Sequence, residues 1–179
     1  MIERAIIQQV LAGDAEAYAR LVDAHYDRCA RIAFRILGNR EDAEEAIQDA
    51  FLRAFRALGS YEDRERFSAW LTRILVNQCR TVLARAHRRE AVFSDVDVLE
   101  AEYLVESDVE TRDGAWPDLE HALSRLPADQ REAIVLRYAD DLTYDEMARV
   151  TGAGESALKM RVQRAFARLR VLLTEVSSV

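Results

Sequence analysis

The chain has 179 residues, half of them hydrophobic, and 25 Lys and Arg against 32 Asp and Glu, for a formal net charge of −7. That length and composition allow one or two small domains with a genuine core, and no run approaches the roughly 20 apolar residues of a membrane span. The opening stretch MIERAIIQQVLAGD carries Glu3 and Asp14 and lacks a signal-peptide pattern, so a cytoplasmic protein is expected.

Asp14 is placed to cap a helix running to Leu37, with Ala17, Leu21, Tyr26, Cys29, Ile32, Ala33 and Ile36 on its apolar face. Gly38 ends it, and Asn39 can cap the next helix, which has acids in its first turn. In REDAEEAIQDAFLRAF (40–55), Ala43, Ala46, Ile47, Ala50, Phe51, Ala54 and Phe55 recur at helical spacing, and Leu58 extends the stripe. The other side carries Glu45, Gln48, Asp49, Arg53 and Arg56, with Leu52 among them. GSYEDRER (59–66) reads as a polar loop. A third helix is expected from Phe67 to Arg88. Phe67, Leu71, Ile74, Leu75 and Val82 share one face; Trp70, Arg73, Asn77 and Arg80 share another, roughly 130° away. An aromatic, an amide and two arginines on one stripe suit single-stranded nucleic acid, where stacking contributes about 1–3 kcal/mol per base. Trp70 itself lies near the apolar boundary and reads more readily as core. The tail Arg85, Arg88 and Arg89 extends the basic surface.

Residues 90–118 contain ten acids and one base, Arg112, whereas 1–89 hold 15 bases against 13 acids and 119–179 hold nine of each. The acidity is local, and local charge governs encounters with other molecules. This stretch shows no sustained period and reads as a mostly extended linker. Beyond it the pattern is helical again. Pro117 and Asp118 start one helix, Pro127 suits the first turn of a second, and Thr143 with Glu146 forms a capping box for a third. TGAG (151–154) is a tight turn, and a final helix runs from Glu155 to Leu173. A short helix, a glycine turn and a longer helix make a helix-turn-helix. Leu158, Val162, Ala165 and Leu169 should face the core. Ser156, Lys159, Met160 and Gln163 lie where such a helix reads base edges, and Arg161, Arg164 and Arg168 can bind phosphates.

The expected fold is therefore all-α, with two helical domains at 1–90 and 117–179 joined by an acidic linker at 91–116. Catalytic readings find no support. First-turn acids such as Glu41, Asp42, Glu44 and Glu45 are explained by the helix dipole, and no Walker loop, GxSxG or HExxH occurs. Cys29 and Cys79 do not form a CxxC pair, and the three histidines are scattered. Two reduced, buried thiols are expected, with no metal, no cofactor and no enzyme activity.

Three stretches in order resemble the extracytoplasmic-function sigma factors of bacterial RNA polymerase: DAEEAIQDAFLRAF, FSAWLTRILVNQCRT, and LPADQREAIVLRYADDLTYDEMARVTGAGESALKMRVQRAFARLR. The resemblance spans about 5–90 and 117–172. It implies a promoter-specificity subunit that binds core polymerase, recognises the −35 and −10 elements and assists melting. The first domain corresponds to sigma region 2 and the second to region 4. Asp42, Glu45, Gln48, Asp49 and Leu52 would dock on the coiled-coil clamp helices of the β′ subunit. Ser60, Tyr61, Arg64, Arg66, Trp70, Arg73, Asn77 and Arg80 would hold the −10 element. Ser156, Lys159, Met160, Arg161, Gln163, Arg164 and Arg168 would serve the −35 element. The implied partners are core polymerase, through the β′ clamp helices and the β flap, promoter DNA, and an anti-sigma factor held against both domains. In the resembled family the linker threads towards the active-site cleft; a −9 segment could imitate phosphates there or act only as a solvated tether. Where the family often has GTVKSR, this chain has Ser156 to Arg161 as SALKMR, and Gly154 stands where a capping Ser is common. The alternative is a two-domain helix-turn-helix regulator that binds duplex DNA without acting as a sigma subunit.

Overall fold

The computed structural model describes residues 2–62, 66–93 and 117–176. Among them the regular elements are helical: α1 (Ile2–Leu11), α2 (Glu16–Leu37), α3 (Arg40–Ala57), a 3-10 turn (Leu58–Ser60), α4 (Phe67–Phe93), α5 (Pro117–Ser124), α6 (Ala128–Tyr138), α7 (Tyr144–Thr151) and α8 (Glu155–Val176).

The boundaries follow local chemistry. The Asp14 carboxylate accepts from the Ala17 N–H at 3.1 Å, satisfying one orphan donor at the start of α2. Gly38 takes the left-handed conformation (φ 73°) and donates to the Phe34 carbonyl, a geometry that costs a residue with Cβ more than glycine. The Asn39 side chain then accepts from the Asp42 N–H at 3.2 Å, opening α3. At α7 both halves of the capping box are formed: the Thr143 N–H donates to Glu146 at 2.9 Å, and the Glu146 N–H to the Thr143 hydroxyl at 3.2 Å. Gly152 (φ 74°) ends that helix.

α2, α3 and α4 form the first unit; α3 packs on both others. Leu21, Ile32, Ile36, Leu71 and Leu75 are among its fully buried side chains. α1 was not foreseen in the sequence; it packs on α2, buries Ile7, and places Glu3 2.7 Å from Nε2 of the buried His25. α4 runs to Phe93, one turn past the expected end at Arg88. Tyr26, expected in the core, is 43% exposed. It lies one position from the buried His25, and at about 100° per residue that step turns it off the inward face.

The second unit is α5 to α8. α8 packs on α5, α6 and α7 and buries Leu158, Val162, Ala165, Leu169 and Leu172. The two units are docked: α4 packs on α7, and α2 on α6 and α5. Their buried apolar residues form one connected cluster. Residues 94–116, which hold most of the expected linker, lie outside the described residues.

Candidate nucleic-acid and protein-docking interfaces

On α8 the inward positions are apolar, so the periodicity forces the polar residues outward. Ser156, Lys159, Met160, Gln163, Arg164 and Arg168 are all exposed. The Lys159 ammonium lies 3.5 Å from Glu155 Oε2 and 5.4 Å from the Tyr144 ring centroid. Arg161 is half-buried and leans on Asp129 of α6 at 3.3 Å. The expected −35 residues thus share one solvent-facing surface, except Arg161, which is turned towards its own domain.

The α4 stripe differs. Asn77 is exposed, and its carbonyl accepts from the Thr81 hydroxyl at 2.9 Å. Arg73 is half-buried. Trp70 is only 5% exposed, its ring packed 5.5 Å from Phe67 and 5.3 Å from Tyr61 between centroids. In this arrangement the indole is core, as the sequence favoured for Trp70, and it is not offered to nucleic acid as the resemblance implied. The physical reason is position: it lies three and four residues from Phe67 and Ile74, within reach of the apolar face. Tyr61, partly buried, closes this aromatic group from the loop side. Ser60 is exposed, its hydroxyl donating to the Ala57 carbonyl at 2.7 Å. Arg64 lies outside the described residues.

Arg80 is held by the second unit. Its Nε and Nη2 meet the two carboxylate oxygens of Glu132 at 2.8 and 2.7 Å, and Nη1 donates to the Thr151 carbonyl at 3.1 Å. Hydrogen bonding to Glu132 raises its pKa still further above the ordinary range. Arg66 pairs with Glu146 of α7. Burial disfavours the ionised form of Glu146. The Thr143 N–H, Arg66 and the Thr143 hydroxyl outweigh it, so this carboxyl titrates below its usual value. A third pair, Arg28 with Asp140, carried no signal in the sequence. Asp140 has a fully buried side chain, and Thr72 Oγ1 lies 3.2 Å from its Oδ2. Burial pushes its carboxyl up, with Arg28 and Thr72 opposing.

The solvent face of α3 carries Glu45 and Gln48, both exposed, and Asp42 and Asp49, both half-exposed. Leu52 is 54% and Phe55 42% exposed. Phe55 was expected in the core stripe, but it sits at the edge, its ring 4.9 Å from Tyr18. An acid-led face with an apolar Leu52 and Phe55 end repels phosphate and suits a protein. Glu45 also pairs with Arg85 of α4 at 2.8 Å. Sequence reasoning missed Phe55 here, and it missed the exposed Tyr138 and Phe166, whose rings meet edge-on at 5.1 Å on the second unit. Only their places at the margins of apolar stripes could have flagged them. Both cysteines are buried, and burial pushes each thiol up to about 12.

Residues 21–89 match the family described as Sigma-70 region 2, and residues 117–169 the family described as Sigma-70, region 4. The chain is 30% identical to the ECF RNA polymerase sigma-E factor of Escherichia coli K12, over 92% of this chain and 91% of that one. It is 29% identical to the ECF RNA polymerase sigma factor SigW of Bacillus subtilis, over 95% and 96% of the two chains. Among solved structures it resembles the sigma factor RpoE from Bartonella quintana, in complex with the anti-sigma factor NepR (TM-score 0.70, 29% identity, 89% of this chain and 98% of that one). It also resembles CnrH in complex with the cytosolic domain of CnrY (TM-score 0.68, 27% identity, 96% and 97%).

Proposed function

The chain belongs to the ECF sigma factors, the promoter-specificity subunits of RNA polymerase, and from this premise we propose how its surfaces divide the work. The α3 face, with Asp42, Glu45, Gln48, Asp49 and Leu52, docks on the β′ clamp helices of core polymerase; Phe55 joins it. The second domain meets the β flap. α8 enters the major groove at −35, where Ser156, Lys159, Met160 and Gln163 read base edges and Arg164 and Arg168 hold phosphates. The loop residues Ser60, Tyr61, Arg64 and Arg66, with Asn77, receive unpaired bases of the −10 element, while Arg73 and Arg80 grip its backbone. Extruding a base costs a few kcal/mol, so a preformed receiving surface is needed. The role is that of a non-catalytic subunit, in the cytoplasm.

The observation that carries this reading is the order of parts on one chain: an acid-faced helix, then a basic helix with an exposed amide, then a helix-turn-helix. A duplex-binding regulator needs only the last. The two promoter elements are centred about 25 base pairs apart, roughly 85 Å of duplex at 3.4 Å per pair. Residues 94–116 can extend to about 80 Å by chain geometry alone, so the domains can separate far enough to occupy both. An anti-sigma factor is a further proposed partner, supported by the relatives solved with one. Reconstitution with sigma-free core polymerase and selection of initiated promoters from random DNA tests the proposal. A common −35 and −10 pair should emerge among the selected starts. Polymerase that initiates no more selectively with the chain than without it would refute the reading.

A further inference from the structure

We propose that α1 is a positioning element for the −10 surface: Glu3, acting through the buried His25, holds Phe67 and with it Tyr61, so that the segment between α3 and α4 is ordered before an unpaired base arrives. This rests on the assignment of that segment to the −10 element.

His25 is buried on the inward face of α2. A buried polar group costs free energy unless it is hydrogen-bonded. Its partner comes from α1, 22 residues away: Glu3 Oε1 lies 2.7 Å from His25 Nε2. A carboxylate can only accept, so Nε2 carries the proton and donates, and the bond restricts the rotation of the ring. The imidazole lies 5.3 Å from the Phe67 ring, inclined at 56°. Phe67 is buried and meets Tyr61 edge-on at 5.6 Å. Tyr61 also lies 5.3 Å from the Trp70 ring. Edge-on and tilted rings at these separations attract through their quadrupoles. The relay Glu3, His25, Phe67, Tyr61 thus runs from α1 to the −10 segment.

α1 reaches the same segment by a second route. It packs on the 3-10 turn Leu58–Ser60, where Leu58 is fully buried and its carbonyl accepts from the Tyr61 N–H at 3.1 Å. Phe67 opens α4 on the far side. Segment 59–66 is therefore held by α1 at both ends, directly at the turn and through His25 at Phe67. That removes conformational freedom which binding would otherwise have to remove. Glu3 is not what keeps α1 docked. Ile7 is buried, and Arg20 donates to the Gln9 side chain. The Glu3 side chain is 46% exposed. Removing its carboxylate should leave α1 in place and release only the relay, which separates a positioning role from a structural one.

The full-length chain, assembled with saturating core polymerase, is titrated with a single-stranded oligonucleotide bearing the −10 sequence of a selected promoter. Glu3→Ala should weaken binding by about twofold to tenfold, the effect of having to order one side chain on binding, and slow open-complex formation to match. Glu3→Gln can still accept from Nε2 and should stay near wild type. Binding to −35 duplex and circular dichroism should be equal in all three. His25→Leu keeps apolar bulk without the hydrogen bond. Adding Glu3→Ala to it should cost nothing more, because both act through one contact. Oligonucleotide binding by Glu3→Ala equal to that of wild type overturns the proposal. So does a Glu3→Gln loss as large as that of Glu3→Ala, a matching fall in −35 binding, or additive losses in the double variant. If His25→Leu loses helicity, the two Glu3 variants decide alone. A wild type that does not hold the oligonucleotide strikes the −10 assignment and this inference with it, an outcome distinct from variants that match a wild type which binds.

Discussion

α8 and α4 are both arginine-rich helices with an apolar face and a polar one, and each is assigned to promoter DNA. They differ in what lies across from them. The polar face of α8 looks into solvent, and its close charge partners are Glu155 and, for Arg161, Asp129 of the same domain. On the corresponding face of α4, Asn77 is exposed but Arg80 meets the second domain, which supplies Glu132 and the Thr151 carbonyl to it. Basic residues at helical spacing mark a candidate surface, but the neighbour across the way determines whether that surface is available.

The comparison can be broken most drastically at the shared core. Leu75→Ala removes a fully buried side chain from α4 and should cost about 2–5 kcal/mol of stability, read as a lower midpoint in urea unfolding. If the domains unfold as one unit, circular dichroism from both should be lost in a single transition. Two transitions with only the first displaced would mean that they are thermodynamically separate.

Next come the two DNA surfaces. Asn77→Ala should reduce open-complex formation by roughly tenfold, because the exposed amide helps repay the few kcal/mol of base extrusion; duplex −35 binding should be unchanged. Permanganate footprints equal to those of wild type would remove Asn77 from the −10 surface. Arg164→Ala should do the opposite. It weakens −35 duplex binding about equally across sequences and lowers the salt slope by about one, leaving melting at saturating concentration intact. An unchanged slope in binding titrations would exclude a phosphate contact.

The acid face of α3 should respond more mildly. Reversing Glu45 and Asp49 to Lys should weaken core-polymerase binding by about fivefold to tenfold, since charges at the rim of an interface act chiefly on the association rate. A pull-down that retains full core polymerase would sink that assignment. The Glu45 change also breaks the pair with Arg85, an exposed contact worth at most about 1 kcal/mol, so stability should hardly move.

The smallest effect concerns the thiols. Burial raises both Cys29 and Cys79 to about 12, so at pH 8 only about one in ten thousand is thiolate, the reactive form. Neither should be labelled by iodoacetamide within an hour in the native chain, and both should react on unfolding. Because the folded values exceed the unfolded one, the cysteines favour the fold below about pH 9, and that contribution is lost as pH climbs towards 12. Rapid labelling of one native cysteine would show that its packing opens locally.

The sequence alone determined the helices from α2 onward, their caps and the division into an acid-led face and two basic ones. Asn39, Gly38, Thr143 with Glu146, and Gly152 act on bonds within a few residues, and local bonds leave local signatures. The inward positions of α8 were legible for the same reason, since one period of 3.6 residues sorts Leu158, Val162, Ala165 and Leu169 from the rest. α1 left too short a pattern to be read. Only the tertiary structure decided that Phe55 is half in solvent, because it sits at the margin of a stripe, where the width of the covering neighbour determines exposure; Trp70, at a similar margin, already read more readily as core. Only it revealed Arg28 with Asp140 and Arg80 with Glu132, pairs 112 and 52 residues apart along the chain. Nothing in one isolated sequence correlates two such positions, because their attraction exists only after the helices that carry them have packed.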